Sequence, residues 1–402
     1  MRTPVFVALV ALSALTGCAS SPIPRTPTPA AVTADRIERV TTGVPFPRGV
    51  VVRGDELFVL SRGRVRDAGG TDVAIDDLAG TIWKLPLNAR DAAPVAIATP
   101  ASPPFRLLDR LLPTALDDHH TDRPYCILRL DPATQSLYFC AFSGIDKPLG
   151  QPGGYFRKNR SDAVFRFDLR TGKYHLVARG GLLDGPTNCL VVGKWLYVSN
   201  KEASTLLRYD LSALAASPGG VVPPPELIAG KTFLVGGKPV EFLGHSALAA
   251  RDDGYLYLGF RTSSTVVRIA MRDLRPRSEG SPVPAQLLAQ FEPYDPVRQR
   301  QSDLTDMAFG PDGDLYVIGA KPARIWRLTP NPRLPLIATF GSPGEPAWAE
   351  LHALTQNPKM KIEALTVDPR GNVYVTSADK QPDHAISGLA GTVYRITNDA
   401  SR

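Results

Sequence analysis

The sequence predicts an all-β chain, folded as a six-bladed β-propeller with four-stranded blades and a ring closed by an N-terminal strand. Three observations predict it. First, an aliphatic–aromatic pair recurs six times: Leu57-Phe58, Leu137-Tyr138, Leu196-Tyr197, Leu256-Tyr257, Leu315-Tyr316 and Val373-Tyr374. The aromatic residues are spaced by 80, 59, 60, 59 and 58, a period near 59 with an insertion in the first interval. Second, each pair is followed by a strand with a basic residue between bulky apolar ones: Lys84, Arg166, Arg208, Arg268, Arg327 and Arg395. Third, the strands alternate, show no helical period, and meet at turns such as Asp252-Asp253-Gly254, Pro311-Asp312-Gly313 and Asp368-Pro369-Arg370-Gly371, where glycine supplies the positive φ of a hairpin. Six such units make a propeller.

Taken in order, residues 1–17 read as a signal peptide, with Arg2 ahead of an apolar run from Pro4 to Leu15 that is too short to span a bilayer. The run ends Leu15-Thr16-Gly17-Cys18, which resembles a bacterial lipobox. That resemblance implies acylation of Cys18 and, with Ala19 following it, anchoring at the outer membrane facing the periplasm. Residues 18–34 form a Pro-rich tether. Residues 35–402 are the propeller. Its last unit ends at a third strand, so Ile37–Gly43 is expected to pair beside residues 391–397 as the missing fourth strand, which would remove two sheet edges.

The insertions fall at 61–80, 99–124, 143–161, 341–361 and 377–391, in links that propeller topology puts on one face. The turns of the other face are mostly short, 211–225 being the longer one. Long links in compact domains are usually functional or disordered, so this top face is the expected binding face. It carries Asp117-Asp118-His119-His120-Thr121-Asp122 and Asp383-His384. Adjacent histidines can take a transition metal, although a solvated polar loop has the same composition. His119, His120, His384 and Arg48 are the candidate ligand-binding residues.

Aligning the starts of the first strands gives Arg48, Cys126, Asn188, His245, Asp306 and Glu363, the last four at intervals of 57, 61 and 57. These side chains are expected to face one another at the channel mouth. Arg48 stands beside Glu363 across the ring closure, so an ion pair there is one arrangement, with Asp306 and His245 hydrogen-bonded around the channel.

The phrases PDGDLYV (311–317) and DPRGNVYV (368–375) resemble the NHL-like and gluconolactonase/strictosidine-synthase group of six-bladed propellers, over residues 36–398. In gluconolactonase-like members, similar positions hold Ca²⁺. The resemblance implies Asn188, Asp306 and Glu363 as its ligands and His245 as a general base, acting on a metal-polarised ester or lactone carbonyl. Arg48 departs from it, since those proteins carry Glu there. A quinone-dependent sugar dehydrogenase is a further six-bladed option, by fold analogy alone.

Composition and motifs exclude other classes. Net charge is +7 without a concentrated basic tract, so no nucleic-acid partner is expected. There is no G-x-S-x-G elbow, P-loop, C-x-x-C pair, C-x-x-C-H haem site or H-E-x-x-H helix. Four cysteines do not make a disulfide scaffold. Cys126 and Cys140 flank one hairpin and could bridge it in an oxidising compartment, with Cys189 a rival partner and three buried thiols the alternative. The expected function is a membrane-anchored periplasmic lipoprotein whose top face binds a small ligand or a protein. The alternative is a Ca²⁺-dependent lactonase or esterase.

Overall fold

The computed structural model describes residues 36–45, 47–61, 65–67, 73–75, 80–88, 90–98, 123–124, 127–142, 162–216, 224–291, 304–320, 323–328, 336–340, 361–378 and 391–397. They form six antiparallel blades. From the channel outward, blade 1 is Pro47–Arg53, Glu56–Ser61, Ile82–Pro86 and Val95–Ala98. Blade 2 is Arg129–Asp131 with Arg123–Pro124, then Ser136–Phe142, Ala163–Asp168 and Lys173–Arg179. Blade 3 is Pro186–Val192, Trp195–Asn200, Thr205–Asp210 and Glu226–Ala229. Blade 4 is His245–Ala250, Tyr255–Phe260, Thr265–Ala270 and Val283–Gln290, with the hairpin Thr232–Val235/Lys238–Glu241 added to its outer edge. Blade 5 is Leu304–Phe309, Leu315–Ala320, Ala323–Leu328 and Leu336–Phe340. Blade 6 is Lys361–Val367, Val373–Ala378 and Gly391–Thr397, completed by Arg36–Val44 from the N-terminal side.

That completing strand pairs antiparallel with Gly391–Thr397, Ile37 lying opposite Ile396 and Glu38 opposite Arg395. The Glu38 carboxylate is held by the Arg395 guanidinium and, at 2.7 Å, by Arg90. Inner strands touch neighbour to neighbour all the way round, blade 6 closing on blade 1. At one of these junctions the approach is close: a Cβ on Gly49 would lie 2.4 Å from the Leu128 amide nitrogen of blade 2.

The repeat has a physical reading. In every blade the aromatic residue of the second strand lies directly opposite the basic residue of the third: Phe58–Lys84, Tyr138–Arg166, Tyr197–Arg208, Tyr257–Arg268, Tyr316–Arg327 and Tyr374–Arg395. Cross-strand neighbours on one face are the unit of sheet stabilisation. Several basic groups also meet acids of their own blade, as in Lys84–Glu56, Arg208–Glu226 and Arg327–Asp314. The turn chemistry is linked to the same aromatics. Tyr257, Tyr316 and Tyr374 donate their hydroxyls to Asp253, Asp312 and Asp368, at 2.5, 3.0 and 3.3 Å. Gly254, Gly313 and Gly371 of those turns have φ of 77°, 79° and 85°. Each phrase thus supplies a turn and an acceptor for a buried tyrosine hydroxyl, a role that at Tyr374 is shared with the Leu87 carbonyl at 3.1 Å.

Candidate ligand site at the channel mouth

Five inner strands break register at the same place, between Pro47/Gly49, Pro186/Asn188, His245/Ala247, Leu304/Asp306 and Ile362/Ala364. The residues skipped are Arg48, Thr187, Ser246, Thr305 and Glu363. A β-bulge re-aims its extra residue, and here all five line one open cavity at the channel mouth. In blade 2 the corresponding residues 125–126 lie outside the described residues, but Ile127 reaches the cavity. Lys201 and Arg261, each just past a second strand, complete the rim.

This corrects the alignment expected from spacing. Arg48 and Glu363 stand where it put them, whereas the other three positions are displaced by one residue. The ring members are Thr187, Ser246 and Thr305, at intervals of 59, 59 and 58 through to Glu363. One residue of slip changes the face a side chain takes. Asn188 and Asp306 consequently meet each other below the mouth, the Asn188 amide donating to Asp306 Oδ1 at 3.4 Å. His245 joins neither. Its ring is fully buried beside Phe233 and Phe260, with centroids 5.9 and 4.9 Å away. Burial pushes its pKa down to about 3, only partly opposed by the backbone of Thr205 and Gly230. A buried imidazole of that basicity, away from the cavity, is not placed for general-base work at neutral pH.

Two ion pairs organise the channel. Arg48 pairs with Glu363, both side chains under 5% exposed, joining blade 1 to blade 6. Arg129 crosses from blade 2 to the opposite blade 5 and pairs with Asp306. Its Nη2 also donates to the Leu248 and Met307 carbonyls at 3.1 and 3.3 Å. Asp306 further accepts the amides of Met307 (2.8 Å) and Leu365 (3.0 Å). Burial pushes the Asp306 carboxyl up from its ordinary value, while Arg129 and the two amides pull it back. The Arg129–Asp306 bar lies across the channel, so the mouth is a cup with a polar floor. Sequence reading missed Arg129. The available signal was its charge inside an apolar inner strand, opposite Tyr138, where other blades carry Val51, Leu190, Ala249, Ala308 and Thr366.

The rim hydroxyls stitch one blade to the next. Thr187 donates to the His245 carbonyl at 3.2 Å, and Ser246 to the Leu304 carbonyl at 2.7 Å. Thr305 breaks the series: its Oγ1 is buried and has no partner among the described residues.

Ca²⁺ does not fit this donor set. It seeks six to eight oxygens at ~2.3–2.6 Å. Both candidate carboxylates already hold a guanidinium, and Asp306 spends further lone pairs on backbone amides. Among the described residues no three His, Cys, Asp or Glu side chains stand close enough to share a metal. Cys18, His119, His120, His384 and Cys126 lie outside the described residues. Cys140 and Cys189 are buried in the core shared by blades 2 and 3.

No family model matches the chain, and no curated protein sequence does. Solved structures match over most of its length at low identity. The PQQ-bound aldose sugar dehydrogenase of Streptomyces coelicolor is 13% identical, covering 90% of this chain and 97% of its own, with a TM-score of 0.50. A glucose dehydrogenase-type oxidoreductase of Thermus thermophilus is 15% identical over 90% and 99%, with a TM-score of 0.47. A chain of a nidogen/laminin complex is 13% identical over 75% and 87%, with a TM-score of 0.45. At 13% identity the likeness to the Streptomyces coelicolor structure speaks for the fold alone, a β-propeller, because one propeller scaffold carries many unrelated sites.

Proposed function

We propose that this chain is a lipid-anchored, periplasm-facing lipoprotein whose propeller binds a small ligand at the channel mouth. The observation that carries the binding reading is the bulged ring. Five blades each turn one polar side chain into a single cavity, above a floor barred by Arg129 and Asp306. Bulges concentrate where a side chain must be re-aimed, and convergent polar groups in a concave mouth are the usual form of a ligand site. Thr305 Oγ1 adds a hydroxyl with no protein partner among the described residues. The anchoring half rests on the Leu15-Thr16-Gly17-Cys18 sequence. The gluconolactonase-like resemblance supports the scaffold, and the filled carboxylates of the channel weigh against carrying calcium-dependent hydrolysis over with it.

Two experiments test the two halves. The full chain and Thr305→Trp are screened by thermal shift against sugars, lactones, small carboxylic acids and pyrroloquinoline quinone. The expected result is a raised Tm with at least one class, lost in Thr305→Trp, because binding to the native state stabilises it by mass action. Stabilisation that survives Thr305→Trp, or none with any class, overturns the mouth as the site. In cells, Cys18→Ala is expected to move the protein from the membrane fraction to the soluble one; unchanged fractionation overturns the anchor.

A further inference from the structure

Five of the six third-strand cations meet an oxygen acceptor of their own blade. Lys84 meets Glu56, Arg208 meets Glu226, Arg268 donates to the Gln286 side-chain carbonyl, Arg327 meets Asp312 and Asp314, and Arg395 meets Glu38. Arg166 of blade 2 breaks the series. Among the described residues no carboxylate pairs with it, and its buried Nε has no acceptor. A buried donor without a partner keeps the full cost of its desolvation.

The register shows why blade 2 differs. The fourth-strand residue opposite the cation is Glu226 in blade 3, Gln286 in blade 4 and Glu38 in blade 6, whereas Arg166 faces His175. An imidazole offers an N–H and no anionic oxygen. Lys173, two residues earlier on that strand, takes the same face. Lys173 and His175 are both exposed, and Tyr138 closes the buried side of Arg166. The two acids of this face serve their own turns. Asp131 accepts the Ala133 amide at 3.0 Å and the Thr134 hydroxyl at 2.5 Å. Asp168 accepts the amides of Arg170 and Thr171 at 2.8 and 3.2 Å, and its other oxygen lies 3.4 Å from the Arg170 guanidinium. Burial lowers the His175 pKa, Arg166 and Lys173 lower it further, and Asp168 opposes them.

We infer that the outer flank of blade 2 binds a phosphate group, held between Arg166, His175 and Lys173. Phosphate oxygens accept from a guanidinium, an imidazole and an ammonium at once. The Glu226 and Glu38 carboxylates show that an anionic oxygen suits the equivalent cation in other blades. This strand is the outermost of its blade, so the site is separate from the channel mouth and stands or falls independently of it.

The test follows the rings of the six histidines by NMR in the full chain, with His175→Gln assigning the His175 signal. Negative charge beside the ring stabilises its protonated form. The His175 titration midpoint should therefore rise by about one pH unit in saturating inorganic phosphate, relative to sodium chloride of equal ionic strength. Arg166→Gln should abolish the rise. Lys173→Gln, at an exposed position, should weaken phosphate binding by about threefold. An unchanged Tm checks each fold, and Lys173→Gln decides alone if Arg166→Gln does not fold. Short-chain phosphatidylglycerol below its micelle concentration is the second probe. A response to inorganic phosphate supports a free phosphate compound as the ligand, and a response to the lipid alone supports a phospholipid headgroup. A midpoint that neither probe moves, or that responds equally in these variants, overturns the inference.

Discussion

Asp306→Ala is expected to be the most damaging single substitution in the channel, destabilising the protein by about 3–5 kcal/mol, the range for removing one partner of a buried ion pair. The reason is the number of blades that meet at this carboxylate. It takes the guanidinium of Arg129 from blade 2, the Asn188 amide from blade 3 and the Leu365 backbone amide from blade 6, and it caps Met307 in its own strand. Removing it leaves a charged guanidinium 11% exposed with only carbonyl partners, and it takes the acceptor from the Leu365 amide. The controlling comparison is Arg129→Met with Asp306→Leu, which removes the bar as a unit. Well-packed apolar replacements of buried ion pairs are often neutral or stabilising, so the double variant should recover most of the loss. Urea unfolding of the three proteins measures this. A cost for Asp306→Ala within about 0.5 kcal/mol of zero, as for a surface change, would show that the bar does not hold the ring together.

The same residues show how far the sequence could be read. The blades were legible because the cross-strand pair of aromatic and basic residues and the Asp–Gly turns are local. Each leaves its mark within one hairpin, and the hairpin repeats. The closing strand was legible because the last unit lacked a fourth strand, and the pairing of Glu38 with Arg395 bears that out. The mouth was legible at Arg48 and Glu363 only. Residue counting carries an alignment across strands that stay in register, and a bulge inserts one residue that the count cannot see. Residue counting therefore puts His245 in the channel, although it precedes the bulge of its strand and belongs to the aromatic core. The tell-tale was the uneven spacing of 57, 61 and 57, against an aromatic period of 60, 59 and 58 over the same blades. Arg129 was hidden differently. A lone arginine in an inner strand acquires meaning only when the opposite blade presents Asp306, and the two are 177 positions apart.

His245 also sets the second large effect, a loss of stability in acid that one substitution should abolish. Neither ring nitrogen has a hydrogen-bond partner of good geometry among the described residues, and the folded-state pKa is about 3. In the unfolded chain it returns to the ordinary value near 6.5. The folded state therefore keeps the ring neutral at a pH where the unfolded state has already bound a proton. Above pH ~6.5 this group carries no pH-dependent penalty, and between pH ~6.5 and ~3 it lowers stability by about 1.4 kcal/mol per pH unit. At pH 4.5 the accumulated cost is about 2.7 kcal/mol. His245→Leu removes both the titration and the unsatisfied nitrogens, in a site walled by Phe233 and Phe260 that already suits an apolar side chain. Its stability relative to the parent, measured by urea unfolding at pH 7 and pH 4.5, should rise by about 2–3 kcal/mol on going to the lower pH. Carboxylates elsewhere titrate in this range as well, but they do so in both proteins and cancel in the difference. Parallel stability–pH curves for parent and variant would mean that the ring is protonated in the folded state, and that its burial among the phenylalanines does not persist in solution.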